Sequence, residues 1–234
     1  MNFYGPKALA ESPDASVARL VNFLERSEQF ELALMKCFPD SDRMLVYSER
    51  KCGLSLASIL LSLEHTSVLR SAFALAAPNS AAALLRLQFE TLVRAAWLLF
   101  AATPEQIVKL DVALDQDSQK LAKKLPRLHE MLAAVERDAP KGLSIPLTEF
   151  SSGHRQPLNS FVHGGLHALR RRQHGFPVDL AIQLVTMSNA LMHLAYRILA
   201  DLGGGERMGD VTNLYRPFSD CLPPMRWNVG GNAI

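Results

Sequence analysis

The chain has 234 residues, of which 48% are hydrophobic and 21% are charged, with a net charge of +2. This length and composition suit one large globular domain and exclude a disordered or fibrous chain. The nearly balanced charge provides no global field that would attract nucleic acid or an anionic membrane. The three cysteines are scattered without metal-like spacing, and the first residues lack an apolar signal core. We therefore expect a cytoplasmic protein without disulfide bonds.

The hydrophobic periodicity is helical almost throughout and shows no convincing alternation of period two. It predicts an all-α fold, a single bundle of about six or seven helices over residues 1–205, followed by an irregular C-terminal tail over 206–234. The expected helices cover, in chain order, residues 14–37, 42–77, 80–102, 104–124, 126–138, 157–171 and 177–202. Residues 139–157 contain three prolines and two glycines and are predicted to form a long loop.

Particular residues mark several helix ends. Asn79 is a suitable N-cap for the helix over 80–102. Thr103, Pro104 and Gln106 follow the order of a capping box, which predicts that a new helix begins there. Gly203 opens a run of three glycines that ends the last helix.

Two stretches, 54–77 and 80–102, are long enough to be considered as membrane spans. Each contains three charged or titratable side chains: Glu64, His65 and Arg70 in the first, Arg86, Glu90 and Arg94 in the second. Such charges cost roughly 2.5–3.5 kcal/mol each near the centre of a bilayer. We therefore interpret both stretches as the central helices of a bundle and expect no membrane association.

The most informative feature is a ladder of charges on the most apolar helix. Arg86, Glu90 and Arg94 lie four residues apart, so they share one helix face that drifts by about 80° from first to last. The arginines could hold an anion such as phosphate, with Glu90 orienting them or acting as a base. Alternatively, the three residues form a structural ion-pair network that bridges neighbouring helices. Both interpretations place something polar inside the fold, because charges are costly to bury unless paired.

A second constellation follows near residue 160. Asn159, His163 and His167 recur at every fourth position and are predicted to share a helix face. Gly164 and Gly165 cost roughly 1 kcal/mol each in a helix, which indicates close approach by a ligand or another backbone. His163 and His167 have the spacing of a metal pair, but the acid of an HExxH motif and a third ligand are missing. We expect no metal and no cofactor, a functional role for His163, and a ligand-lining or hydrogen-bonded interior position for His167.

Other features carry weaker signals. His65 follows Glu64 inside an apolar helix, which indicates either a polar pocket or a hydrogen-bonded core histidine. Basic clusters at 123–127 and 170–172 either stabilise helix ends or contact phosphates without reading sequence. No sequence-specific DNA binding is expected, and the motifs of nucleotide-cofactor enzymes and serine hydrolases are absent.

The stretch LLRLQFETLVRAAWL and the later LNSFVHGG resemble a group of bacterial all-helical proteins, over roughly residues 55–170. These proteins are similar to the HEPN superfamily of helical bundles, many of which are metal-independent ribonucleases acting as toxins or defence effectors. In HEPN nucleases, an Arg-x4–6-His motif from each subunit of a dimer lines a shared cleft. The His acts on the ribose 2′-hydroxyl, and the Arg binds the scissile phosphate. The resemblance thus implies an intracellular homodimer with RNA as a candidate ligand.

The present chain departs from that motif. Arg155 precedes His163 by eight positions, and Pro157 lies between them. The phosphate-binding arginines would therefore come from the ladder, as Arg86 and Arg94.

The resemblance and the ladder together assign roles to the candidate residues. The predicted catalytic residues are His163 as acid/base and Glu90 as the orienting group. The predicted ligand-binding residues are Arg86, Arg94, Asn159, His65 and His167. Two alternatives stay open: a non-catalytic dimeric interaction module with a structural Arg-Glu-Arg core, and a binding protein for a small anionic ligand.

Overall fold

The computed structural model describes residues 13–38, 49–111 and 125–224. Within these ranges the chain is helical and contains no strand, which confirms the all-α prediction. The α-helices are α1 (Pro13–Lys36), α2 (Arg50–Ala74), α3 (Pro78–Phe100), α4 (Pro104–Leu110), α5 (Leu128–Asp138), α6 (Lys141–Val162), α7 (Leu166–His174), α8 (Val178–Leu202) and α9 (Met208–Asn213). The predicted number of six or seven helices was too low for the described residues, because residues 139–174 form two helices, α6 and α7, and the C-terminal region adds α9.

α3 lies at the centre of the bundle, as predicted. It packs against α2, α5, α6 and α8, and its inward-facing side chains Leu85, Phe89 and Leu92 are fully buried. The prediction for α2 needs correction, since α2 is buried along one side only and exposes Leu60 and Val68 on the other. The second central helix is α8, which is buried along most of its length.

Small polar side chains fix how α3 sits between α2 and α8. The Ser55 and Ser62 hydroxyls of α2 donate to the carbonyls of Ala95 and Gln88, at 2.9 and 3.0 Å. The Gln88 amide donates to the Ser188 carbonyl at 2.9 Å and accepts from the Ser188 hydroxyl at 2.7 Å. α2 and α3 are antiparallel, and these hydrogen bonds define both the register and the rotation of α3.

The helix ends agree with the sequence in part. The predicted helices 14–37, 126–138 and 177–202 are confirmed as α1, α5 and α8 with small shifts at their ends. Two further predicted helices, 42–77 and 104–124, were too long. α2 begins at Arg50, after an extended Glu49, and α4 ends at Leu110. Residues 42–48 and 112–124 lie outside the described residues.

Two predicted caps have different outcomes. The capping box is confirmed, since the Gln106 N–H donates to the Thr103 hydroxyl and the Thr103 N–H donates to the Gln106 side chain. The prediction of Asn79 as an N-cap was wrong: α3 begins at Pro78, two residues before the expected start, and Ala77 is its N-cap. Proline is favoured in the first helical turn, because the N–H that it lacks would have no partner there.

The prediction of a loop over residues 139–157 was also wrong, because most of this segment lies in α6. The buried side chains of α6 follow a helical spacing: Leu143, Leu147, Phe150, Leu158 and Phe161. This apolar face packs against α3 and α5, and tertiary packing therefore outweighs the low helix propensity of the segment.

The two prolines inside α6 are accommodated in different ways. Pro146 leaves the Gly142 carbonyl without its helical donor, and the Arg197 guanidinium of α8 donates to that carbonyl at 2.9 Å. Pro157 frees the carbonyl of Gly153, which lies at an exposed position. Each carbonyl thus has access to another donor, a side chain in one case and solvent in the other.

The C-terminal region packs back onto the bundle instead of forming an irregular tail throughout. α9 is followed by a short 3-10 helix, Ser219–Cys221, and Val211, Cys221 and Leu222 are buried. Asn189 of α8 donates to the Cys221 carbonyl at 3.0 Å. Residues 225–234 of the predicted tail lie outside the described residues.

His193 of α8 is the buried histidine that holds this C-terminal region. Its Nε2–H donates to the Val211 carbonyl at 3.0 Å, and its ring contacts those of Phe30 and Tyr215. Burial lowers the pKa of His193 to about 4, although the Val211 carbonyl opposes the shift. The imidazole is therefore neutral at physiological pH.

Two of the described helices, α2 and α8, are long and apolar enough to cross a membrane by length and composition alone. In α8, 61% of the apolar window is buried inside the bundle, against 33% in α2. A buried core helix passes the same test, so neither helix is assigned to a membrane on this ground.

Candidate functional site

Arg86 is the buried end of the charge ladder. The residue is only 8% exposed, and its Nη2 lies 2.5 Å from a carboxylate oxygen of Glu90. Its Nε and Nη1 are buried without a hydrogen-bond partner among the described residues. Unused donors of a buried charge are costly, so Arg86 is a cation with spare hydrogen-bonding capacity.

The other two members of the ladder lie closer to solvent. The Glu90 side chain is 39% exposed, and Arg94 is exposed with no ion-pair partner in the described part of the chain. The drift of the stripe around α3 explains this order, because it turns Arg94 toward the solvent edge that also carries Leu87. A three-residue network is therefore not formed, and the ladder reduces to the Arg86–Glu90 pair.

Arg155 of α6 approaches the same place. Burial lowers the pKa of Arg86, Glu90 raises it, and the positive charge of Arg155 lowers it further. The two helices are held together by Phe89 and Phe150, whose stacked rings lie 4.6 Å apart between centroids. The positive charge of Arg155 therefore acts on the Arg86–Glu90 pair at the seam between α3 and α6, and one positive charge among these three groups is uncompensated.

Two further polar groups line α6 near this seam. The Nδ1 of His154 and the hydroxyl of Thr148 are buried without a partner among the described residues. Burial lowers the pKa of His154, opposed by the Gly153 backbone, and the ring of His154 lies edge-on to that of Phe150 at 5.1 Å. Thr148 lies seven residues before Arg155 and hence on the same helix face. The seam thus combines spare donors with a neutral imidazole.

The local sequence pattern does not identify this side of the seam, because the prolines and glycines of residues 139–157 predict a loop. The apolar residues Leu147, Phe150 and Leu158 are nevertheless spaced at i, i+3 and i+11, which indicates a helix face. That helix carries His154 and Arg155.

The residues around His163 are arranged differently from the prediction. α6 ends at Val162, and His163 is its exposed C-cap, with its N–H bonded to the Asn159 carbonyl at 3.2 Å. Gly164 then adopts a left-handed φ of +62°. Asn159, His163 and His167 therefore do not share one helix face, because α6 ends at Val162, before His163, and α7 begins at Leu166.

The paired glycines have a structural explanation. A Cβ on Gly165 would lie 2.8 Å from the hydroxyl oxygen of Ser160. That hydroxyl accepts a hydrogen bond from the His167 N–H at 2.9 Å and so caps the start of α7. The close approach inferred from the sequence is made by the Ser160 side chain.

This turn provides a direct test. We expect Gly165→Ala to lower the free energy of unfolding by about 1–3 kcal/mol, because the new Cβ would overlap the Ser160 hydroxyl. The cost should shrink in a Ser160→Ala background, which removes that oxygen. Urea unfolding of both single variants and the double variant measures the coupling. Strictly additive free energies would contradict the proposed clash.

His163 lies at the C-terminal end of α6. Pro157 does not interrupt α6, so the rise along the helix from Arg155 to His163 is about 12 Å. The assignment of His163 to the same site stays a prediction.

The remaining candidates occupy separate places. His65 is half-buried on α2, and burial lowers its pKa, against the opposing effect of Glu64. Arg70 of α2 forms an ion pair with Glu31 of α1. His167 is half-buried beside the Phe161 ring.

The basic cluster at 170–172 lies in the last turns of α7, where positive charge interacts favourably with the helix dipole. α7 has no buried residue. Lys123 and Lys124 lie outside the described residues.

Comparison with known proteins gives one match. A model of a family of unknown function, DUF6988, matches residues 59–224. No curated protein and no solved structure matches the chain. The matched region includes the ladder, all of α6 and the turn after it. Since the match covers most of the sequence, the chain belongs to the DUF6988 family.

Proposed function

We propose that this chain is an intracellular, HEPN-like helical protein that binds a phosphate-bearing ligand, with RNA as the favoured ligand, at the seam between α3 and α6. The observation that carries the proposal is the state of Arg86. Its guanidinium is buried beside Arg155, has two nitrogens without partners in the described structure, and is balanced by Glu90 alone. Phosphate oxygens accept several charge-assisted hydrogen bonds from arginine.

The resemblance to HEPN proteins extends the proposal to metal-independent RNA cleavage, as in a toxin or defence-type effector. The ladder arginine would bind the scissile phosphate, and a histidine would exchange a proton with the ribose 2′-hydroxyl. The motif favours His163 for this step. His154 is a second candidate, because it adjoins Arg155 and has a buried ring nitrogen without a partner in the described residues.

A homodimer belongs to the same proposal. The outward side of α2 and the C-cap after it expose large apolar side chains: Leu60, Leu61 and Val68 in the helix and Leu75 at the C-cap. Exposed apolar surface of this kind marks interaction sites in many proteins, and closed two-fold dimers are the most frequent oligomers. Size-exclusion chromatography with light scattering tests this point directly.

Replacing Arg86 by methionine tests the binding proposal. We expect Arg86→Met to weaken binding of a short RNA at least tenfold, because a charge-assisted hydrogen bond contributes about 1.5–3 kcal/mol. The fold should be unchanged or more stable, since an apolar side chain replaces a buried cation with unused donors. Fluorescence anisotropy measures the affinity, and circular dichroism measures the unfolding transition.

Arg94→Met is the matched control, because it removes an exposed arginine from the same helix. A small loss for Arg94→Met with a large loss for Arg86→Met supports the seam as the binding site. Equal affinities for wild type and Arg86→Met would refute it.

Cleavage needs its own experiment. RNA incubated with the purified protein in the presence of a chelator should be degraded by wild type and spared by the variant that lacks the acid/base histidine. Comparing His163→Ala with His154→Ala identifies that histidine. Intact RNA with wild type would instead favour the non-catalytic interaction module, for which the buried Arg86–Glu90 pair would be a structural element.

A further inference from the structure

We infer that Glu90 is an internal competitor, which an incoming tetrahedral oxyanion of the phosphate type displaces from Arg86. This inference rests on the anion site proposed above and adds how that site is regulated. It reverses the role expected from the sequence, in which Glu90 orients the arginines and so supports binding.

The first argument is the unequal burial of the two partners. The Arg86 side chain is 10% exposed and that of Glu90 is 39% exposed, although they form one ion pair. Arg86 lies one helical turn before Phe89, whose ring stacks on Phe150, so its side chain is held in the packed seam between α3 and α6. Glu90 can rotate outward and recover its hydration. The exchangeable member of the pair is therefore Glu90.

The second argument is hydrogen-bonding capacity. Arginine has five N–H donors, and in Arg86 the Glu90 carboxylate uses Nη2 alone, while Nε and Nη1 have no partner among the described residues. One carboxylate thus leaves most of the guanidinium unsatisfied. A phosphate group presents more acceptor oxygens and can bridge to Arg155, which the carboxylate is not seen to do. The unpartnered Thr148 hydroxyl lies on the same face of α6 and is a further donor.

The third argument is charge. Arg86 and Arg155 contribute two positive charges, and Glu90 contributes one negative charge. A phosphate carries between one and two negative charges at neutral pH. If Glu90 stays in place, the anion meets a carboxylate of like charge at short range. If Glu90 leaves, a phosphate dianion neutralises both arginines, and a phosphodiester monoanion replaces the carboxylate charge one for one. Binding and displacement are therefore coupled.

The test is whether substitution of Glu90 strengthens or weakens the binding of phosphate. Isothermal titration of the full chain with inorganic phosphate should show that Glu90→Gln binds about tenfold more tightly than wild type, because the competing charge is gone while side-chain size is kept. Glu28→Gln, which neutralises an exposed carboxylate on α1, should bind like wild type. Glu90→Ala should also bind more tightly. This second variant excludes that a contact between the ligand and the glutamine amide causes the effect.

The outcomes separate this inference from the proposal beneath it. Phosphate or RNA binding that is weaker or unchanged in both Glu90 variants overturns the competitor role while the anion site stands. No binding of phosphate or RNA by wild type or either Glu90 variant overturns the anion site and this inference together. Tighter binding of both inorganic phosphate and an RNA oligonucleotide supports a phosphodiester ligand. Tighter binding of inorganic phosphate alone supports a small free oxyanion.

Discussion

Replacing Phe89 by alanine is expected to lower the free energy of unfolding by about 3–5 kcal/mol. Phe89 is fully buried in α3, and its ring stacks on Phe150 of α6 with 4.6 Å between centroids. Truncation removes the apolar burial of one ring, leaves a cavity and ends the aromatic contact. Urea unfolding followed by circular dichroism measures the loss.

The same substitution also tests the seam. Because Phe89 holds α3 against α6 beside Arg86 and Arg155, its loss should weaken phosphate binding even under conditions where the variant is folded. Leu87→Ala is the control on the same helix, since Leu87 is 36% exposed and its truncation should cost under about 1 kcal/mol. A cost for Phe89→Ala as small as that for Leu87→Ala would contradict the packing described here.

Acidification from about pH 6.5 to about pH 4 should destabilise the protein through His193. The pKa of His193 is lowered to about 4 in the folded chain, against about 6.5 in an unfolded chain. Between these values the unfolded state binds the additional proton, so the free energy of unfolding falls as the pH falls. The His193 contribution amounts to about 3 kcal/mol over this window.

His193→Gln isolates that contribution, because glutamine retains a donor for the Val211 carbonyl but does not titrate. The variant should lose less stability than wild type between pH 6.5 and pH 4, as measured by urea unfolding at each pH. His129→Gln, at an exposed position of α5, should keep the pH dependence of wild type. Parallel curves for wild type and His193→Gln would show that His193 is not buried as a neutral ring.

Secondary structure was predictable where it depends on neighbouring residues. The apolar periodicity of α1, α5 and α8 and the capping box at Thr103 are local features, and they were predicted correctly. α6 was not predicted, because a helix tolerates Pro146 only where another group donates a hydrogen bond to the Gly142 carbonyl that the proline leaves free. The donor is Arg197, 55 residues away from Gly142 along the chain, and no local pattern reveals it.

The candidate site likewise depends partly on local sequence and partly on contacts between residues distant in sequence. By itself, the sequence determined an apolar helix that carries Arg86, Glu90 and Arg94 on one drifting stripe, since helical geometry depends only on spacing. The tertiary structure decided which of them is buried and which second helix meets them. That helix contributes Arg155, because an apolar face of α6 packs on α3, and side chains distant in sequence become neighbours only through such packing.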